Sequence, residues 1–352
     1  MGTRLRVIIP HDAGSNPYLG LLAEALRKEG IFVESLKPGR LPFLRLLSEI
    51  NRNDVIHLQW QHGYFLGRNL ASAVIRSVLL FLQILPLKAR GVRFVWTVHN
   101  LVNHERHLAR WELLASRVLA HTVDRVVAHC NRAASELASA YRLDQRRILV
   151  VPHGHFGDAY PPPIARRDAR RQLGLSESAT VILFFGQIRE YKSVPSLIEA
   201  FLRVKPSTAH LAIVGEPKPP SLAEEITAMA SDEPQITLRL EYVDPETLLR
   251  YISASDVVVL PYVRSLTSGA SVLAATMGRP IIAPRLGCMA EMPEGAAIFY
   301  DESGVDGIEA ALLKSFEAPL EDMGRVAADY VWRQGWADVA RELKGIYRQC
   351  VR

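Results

Sequence analysis

Two short stretches of this 352-residue chain carry the residue types that hold a phosphate group. Residues 257–284 read VVVLPYVRSLTSGASVLAATMGRPIIAP. An apolar run with the character of a buried parallel strand leads past Tyr262 and Ser265 into Thr267, Ser268 and Gly269, and then into a helix-forming run over 270–276. Small residues at such a turn leave backbone N–H groups bare, and the positive end of the helix dipole adds to them, so the turn suits an anion. An ordinary capped helix in an α/β sheet has the same pattern. The second stretch follows the apolar run 181–185 and reads GQIREYK. Gly186 permits a tight loop, Arg189 can grip a phosphate through two parallel N–H donors, and Lys192 supplies a point charge. Together they would offset the charge that builds on a departing diphosphate, whereas a solvated loop with an incidental basic pair is the plainer alternative. Neither a G-x-G-x-x-G turn nor a P-loop occurs, which sets dinucleotide-dependent dehydrogenases and P-loop NTPases aside.

Both stretches need strands beneath them, and the apolar pattern supplies these twice over. In the first half, strands over 6–9, 31–34, 55–58, 93–97, 125–128 and 148–151 alternate with helical stretches over 17–29, 41–51, 68–87, 104–120 and 132–141. That alternation predicts a parallel, doubly wound sheet with right-handed crossovers. A Pro-rich, basic stretch over 160–171 reads as a linker, after which the alternation resumes through strands at 181–185, 210–214, 236–241, 257–260 and 280–283. The expected architecture is therefore α/β, two Rossmann-like domains facing across a cleft. The boundaries are an N-terminal domain over 1–160 and a C-terminal domain over 172–330. Trp332, Trp336, Val339, Leu343 and Tyr347 recur at helical spacing in a terminal segment over 331–352.

Composition fits two well-packed domains, since the length exceeds that at which single cores stop growing and 49% of residues are apolar. Three scattered cysteines in no ligand spacing argue for a reducing, intracellular setting without a structural metal. No cleavable leader is visible, and the apolar run SVLLFLQILPL over 77–87 is too short for a span and reads first as a buried helix. Charge is uneven: residues 1–150 hold 21 Lys/Arg against 11 Asp/Glu, while the rest of the chain is acidic on balance. With Arg68, Arg76, Lys88, Arg90 and Arg93 flanking the apolar run, the basic half is expected to meet an anionic membrane surface. Nucleic acid is not an expected partner, because no zinc-finger or RRM signature and no basic stripe interleaved with aromatics is present.

The order of these motifs resembles the GT-B glycosyltransferases. The strand followed by G-x-I-R-x-Y-K, the helix containing Leu197-Ile198-Glu199-Ala200-Phe201, the strand ending Ile213-Val214-Gly215, then Leu260-Pro261-Tyr262 and Gly278-Arg279-Pro280 resemble the nucleotide-sugar domain of that family. Asn16-Pro17-Tyr18-Leu19, His57-Leu58-Gln59-Trp60, Thr97-Val98-His99-Asn100-Leu101, His104-Glu105 and His153-Gly154-His155 are similar to the bacterial exopolysaccharide transferases of the xanthan β-mannosyltransferase type. Many retaining members carry two glutamates eight positions apart around the phosphate turn, and this chain has Ser265 and Leu273 there. The resemblance therefore implies an inverting, single-displacement transfer, for which a base must take the acceptor hydroxyl's proton.

The resemblance places that base in the first domain, where Glu105, His99 and Asp12 stand at strand ends. Asn16, Tyr18, Trp60 and His153 become candidates for holding the acceptor, although core packing is the commoner use of such rings. Gly215 with Glu216, and Tyr242 with Val243, are candidates for the nucleobase end of the donor, beside Gly186, Arg189, Lys192, Tyr262, Ser265, Thr267, Ser268 and Gly269 for its phosphates. No cofactor is implied and no metal is expected, the two cations doing its electrostatic work. In GT-B proteins the C-terminal helix returns to the first domain. The implied activity is transfer of mannose from GDP-mannose onto a lipid-linked oligosaccharide, in exopolysaccharide or glycolipid synthesis, by a cytoplasmic protein peripheral on the inner membrane face. UDP-glucose or UDP-glucuronate as donor, a nucleotide-sugar epimerase of the same fold, and an inactive sugar-nucleotide-binding subunit remain open alternatives.

Overall fold

The computed structural model describes residues 5–10, 17–36, 41, 43–103, 105, 107–205, 207–301 and 304–351. It divides into two compact units, one of residues up to Gly154 together with those from Gln334, the other His155–Arg333.

The first unit holds β1 (Arg6–Ile9), α1 (Pro17–Lys28), β2 (Phe32–Ser35), β3 (Val55–Leu58), α2 (His62–Phe65), α3 (Leu70–Ala89), β4 (Arg93–Thr97), α4 (Ala109–Thr122), β5 (Arg125–Ala128), α5 (Asn131–Tyr141) and β6 (Ile148–Val150). Its six parallel strands run in the order β2-β1-β3-β4-β5-β6. The strands at its centre are buried on both faces, as a parallel sheet covered by helices demands. Strand order reverses between β1 and β3, which marks the crevice where open α/β sheets take ligands.

The second unit holds α6 (Arg166–Leu173), β7 (Thr180–Phe185), α7 (Val194–Val204), β8 (Ala209–Val214), α8 (Pro220–Ala230), β9 (Ile236–Arg239), α9 (Pro245–Ala254), β10 (Val257–Val259), α10 (Gly269–Thr276), β11 (Ile281–Pro284), β12 (Ala297–Tyr300), α11 (Val305–Glu317) and α12 (Leu320–Trp332). Its sheet runs β12-β11-β10-β7-β8-β9, all parallel, with the reversal between β7 and β10. The last helix, α13 (Trp336–Val351), belongs to the first unit and packs on α1. There Trp336 meets the Tyr18 ring at 5.5 Å and Lys344 donates to the Glu29 carboxylate at 2.9 Å.

Four elements differ from the sequence expectation. Residues 41–51, expected as a helix, form only a short 3-10 turn at Arg45–Ser48, which has no capping side chain and no acidic residue in its first turn. The helix expected from 104 starts at Ala109, because Leu108 stands in the left-handed region at φ 56° and breaks the run before it. The stretch 160–171, expected as a linker, contains most of α6, whose Arg170 is buried on the Asp256 carboxylate at 2.6 Å and the Ala254 carbonyl at 3.0 Å, so it belongs to the second unit's core. The terminal segment is two helices. Trp332 lies on the His155 ring at 4.2 Å in the second unit, while Trp336, four residues on, lies in the first.

The apolar helix α3 also departs from expectation. A capping box closes its start, where Asn69 accepts from the Ser72 N–H at 3.0 Å and the Ser72 hydroxyl oxygen accepts from the Asn69 N–H at 3.1 Å. Ala73, Ser77, Leu80, Ile84 and Leu87 are buried, but Ile75, Val78, Leu82 and Leu85 on the opposite face are each at least half exposed. Among the described residues it is the one helix long and apolar enough to cross a membrane by length and composition, and it is here the crossover from β3 to β4.

Candidate active site

In the second unit, β10, β7 and β8 are neighbours, so the loops that leave their carboxyl ends lie side by side at the strand reversal. Gly186 ends β7 at φ 98° and Gly215 ends β8 at φ 151°. A Cβ on Gly215 would lie 2.1 Å from the Gly186 carbonyl oxygen, so only glycine lets the two loops approach this closely. Backbone bonds then lace them together: Ile188 N–H donates to the Glu216 carbonyl at 2.9 Å and Lys218 N–H to the Ile188 carbonyl at 2.8 Å. The Glu216 side chain itself turns to Lys218, at 3.4 Å.

The same loop carries the two cations. Arg189 Nε donates to Gln187 Oε1 at 2.8 Å, which fixes the guanidinium plane. Lys192 is buried, its ammonium 5.3 Å from the centre of the Tyr262 ring and 5.8 Å from that of Phe184. Burial, with a smaller contribution from Arg189 beside it, brings its pKa down to about 8, and no carboxylate among the described residues acts in the other direction. On the β10 side, Ser268 caps α10 by accepting from the Ser271 N–H at 3.2 Å, and the Ser271 hydroxyl donates back to the Ser268 carbonyl at 2.7 Å. The first-turn amides of Gly269 and Ala270 point along the helix axis, as in any first turn. Ser265 and Thr267 are half-buried in the same turn, Gly269 is exposed and Tyr262 lies beneath, edge-on to Tyr191 at 5.8 Å. Tyr242 is exposed and Val243 half-buried, at the far strand β9. A cavity of about 600 Å³ lined by Pro161, Pro162, Ile164, Leu249 and Arg250 contains none of the phosphate-turn residues.

The carboxyl edge of the first sheet is built from imidazoles. His57 in β3, His99 after β4, His129 after β5 and His153 after β6 are all buried. The Gln59 amide links two of them. Its Nε2 lies 3.1 Å from His57 Nε2 and its Oε1 accepts from His99 Nε2 at 2.9 Å, so His57 carries its proton on Nδ1, towards the Tyr347 hydroxyl at 2.6 Å. Burial holds these rings neutral: it pushes His57 and His129 down to about 3 and His153 to about 4, and His99 well below its usual range, where neighbouring histidines add to the effect. Trp60 stacks on His99 at 4.2 Å and stays half-exposed, whereas Tyr18 is enclosed, with the rings of His99, His153 and Trp336 all within 5.5 Å. Glu105 occupies an exposed turn ahead of α4, and Asp12, Asn16 and His104 lie outside the described residues.

Comparison with known proteins bears on both units. Residues 1–155 match glycosyltransferase family 4, and residues 179–317 match the family described as glycosyl transferases group 1. The chain is 27% identical over 342 residues, 94% of its own length and 87% of the relative's, to the GDP-mannose:glycolipid 4-β-D-mannosyltransferase of Xanthomonas campestris pv. campestris. Sucrose-phosphate synthase from Thermosynechococcus elongatus superposes with a TM-score of 0.78 at 16% identity, covering 98% of this chain and 99% of that one. Anabaena HepE in complex with UDP-glucose superposes at 0.71 and 14%, covering 98% and 100%. The chain is a glycosyltransferase of the GT-B fold.

Two corrections and one omission follow for this glycosyltransferase. His99 is poorly placed to act as base: its Nε2 proton is donated to Gln59, and burial leaves the ring with little affinity for a second proton at neutral pH. Tyr18 offers no face for a sugar, since its exposure is only 3%. The sequence reading passed over His62 and Glu112. Glu112 is wholly buried, its carboxylate bonded to His62 Nδ1, to the Asn103 N–H at 2.9 Å and to Asn103 Nδ2 at 2.5 Å. Burial alone would raise its pKa, but the bonds from His62 and Asn103 outweigh that and leave it below the usual carboxylate range. A glutamate on the inward face of α4, directly opposite the loop that follows HLQW, was the available signal. Among the described residues there is no group of three or more His, Cys, Asp or Glu side chains arranged to hold a metal.

Proposed function

We propose that this glycosyltransferase moves mannose from GDP-mannose onto a lipid-linked oligosaccharide, with inversion at the anomeric carbon, on the cytoplasmic face of the membrane in exopolysaccharide or glycolipid synthesis. The observation that carries the donor half is Lys192, a buried ammonium on which no carboxylate among the described residues acts, at the strand reversal beside the Ser268-capped helix. A diphosphate fills that need. Arg189 grips it bidentately, Lys192 neutralises it, and the amides of Gly269 and Ala270 receive the remaining oxygens, so that charge is stabilised as the C–O bond to the leaving group breaks. Those cations do the work a metal would otherwise do, and the reaction is read as metal-independent. Serine and leucine at 265 and 273 leave no glutamate at the phosphate turn, which supports direct displacement by the acceptor.

Mannose and GDP rest on the Xanthomonas relative, whose name gives that donor and a glycolipid acceptor. The rival reading, a UDP-sugar, uses the same phosphate contacts. Thermal unfolding with each nucleotide separates them: GDP should raise the melting temperature by several degrees at saturating concentration, and UDP should not. Stabilisation by UDP alone would remove the mannosyl assignment. Incubation with the nucleotide sugar alone should give only slow hydrolysis, and an isomerised sugar nucleotide would make the protein an epimerase.

The exposed face of α3 supports membrane attachment. Ile75, Val78, Leu82 and Leu85 form an apolar stripe on the same helix as Arg76 and Lys88, suited to lying in an anionic interface. Flotation with liposomes containing anionic lipid should carry the protein, and Leu82→Ser with Leu85→Ser should reduce it severalfold. Equal flotation of the variant would end this part of the proposal.

A further inference from the structure

At the carboxyl edge of the first sheet, His62 has a carboxylate on one nitrogen. It stands in α2, directly after β3 and beside the strand reversal, where the Tyr64 hydroxyl donates to the Pro10 carbonyl at 3.0 Å and ties this loop to the end of β1. Glu112, reaching across from α4, accepts the Nδ1 proton. His62 Nε2 is thereby an acceptor, and among the described residues it is buried with no hydrogen-bond partner. Native proteins rarely leave such an atom unmatched, so its orphan state asks for a ligand. His129 Nε2 is unmatched too, but its Nδ1 rests on the Val151 carbonyl, and its pKa of about 3 bars it from taking a proton near neutrality. The difference is Glu112, whose carboxylate accepts from Nδ1 and so fixes the tautomer that leaves Nε2 as the acceptor. Burying a carboxylate costs several kcal/mol unless it is paired, and here two residues pair it.

We propose that His62 is the general base of the transfer and that Glu112 is the residue that positions it. This rests on the transferase reading above and names its missing group. As the acceptor oxygen bonds to the anomeric carbon, its proton passes to His62 Nε2, while the electron pair of the breaking C–O bond leaves with the diphosphate. The imidazolium then releases its proton to water. Among the described residues, the charged and titratable groups around His62 are Glu112 from α4, Arg76 from α3, whose guanidinium donates to the Gly63 carbonyl at 3.2 Å, and the neutral His99 after β4.

The test measures kcat and KM against pH for the wild type, His62→Ala, His62→Gln and Glu112→Gln. The donor is GDP-mannose or UDP-glucose, whichever nucleotide stabilises the fold, and octyl glucoside serves as acceptor. Where that surrogate does not turn over, donor hydrolysis replaces it, because the same base activates water. Both His62 variants should lower kcat about 10²–10⁴-fold. They should also leave the nucleotide-induced rise in melting temperature intact, abolish the acid limb of the profile and regain part of the rate with added imidazole. Glu112→Gln should lower kcat less than either His62 variant and keep an acid limb, because the ring stays in place and loses only the carboxylate that fixes its tautomer. Activity of His62→Gln within threefold of wild type, or a loss that leaves the acid limb in place and does not respond to imidazole, overturns the proposal. A wild type that neither binds nucleotide nor turns over donor overturns the transferase reading instead, and this proposal with it.

Discussion

The two sheets share a plan and differ at one edge. Each has six parallel strands with its order reversing beside the first strand of the unit, β1 against β3 in one and β7 against β10 in the other. At the carboxyl edge of the first stand His57, His99, His129 and His153, all held neutral, with Trp60 and Tyr18 among them. At that of the second stand a buried ammonium, a guanidinium, two glycines in close approach and a serine-capped helix. The first edge carries neutral rings that take part in hydrogen bonds and hold no charge. The second can hold a double anion. One topology thus serves two chemistries through what its strand ends carry.

The largest expected effect breaks the comparison on the cationic side. Replacing Arg189 and Lys192 together by alanine should lower kcat/KM at least about 10³-fold, some 4 kcal/mol of transition-state stabilisation. It should also abolish the nucleotide-induced stabilisation while leaving the first unit folded. A loss below threefold would mean the diphosphate sits elsewhere.

A smaller effect sharpens the imidazole side. His57 and His129 have folded pKa values of about 3 and His153 about 4, and His99 is held well below its usual range, against roughly 6.5 in the unfolded chain. The unfolded chain therefore binds more protons, and the stabilisation, complete above pH 6.5, is lost as pH falls towards the folded values. Each such ring should remove up to about 1.4 kcal/mol per pH unit below 6.5. Thermal unfolding at pH 7.5, 6.0 and 5.0 should show the first unit's transition falling steeply, and a transition indifferent to pH across this range would contradict the buried, neutral state.

How much of this could be read from the sequence depended on how far apart the cooperating residues lie. Gly186, Arg189 and Lys192 sit within seven positions of one another, and Ser265 to Gly269 within five, so their strand-loop-helix context was visible locally. The alternation of strands was legible because parallel strands buried on both faces are short apolar runs. β12, AIFY ahead of an acidic stretch, carried too weak a pattern and was passed over. His62 and Glu112 are 50 residues apart and meet only because α4 folds back beside α2, which no spacing rule reveals. Trp332 and Trp336 share helical spacing yet belong to different units, since periodicity tells that a ring is buried but not by what.

The placement of α13 makes the first unit discontinuous along the chain: its sheet is complete by β6, but Tyr347, whose hydroxyl oxygen accepts a hydrogen bond from His57 Nδ1, lies 290 residues beyond its partner. At about 5–20 residues per second of synthesis, His57 waits roughly 15–60 s for that hydroxyl. The second unit, made in the interval from one continuous segment, can finish folding first. In the order of synthesis, then, the N-terminal unit is the last to have all its parts, and the surface of α1 that α13 covers stays open until the end of the chain is made.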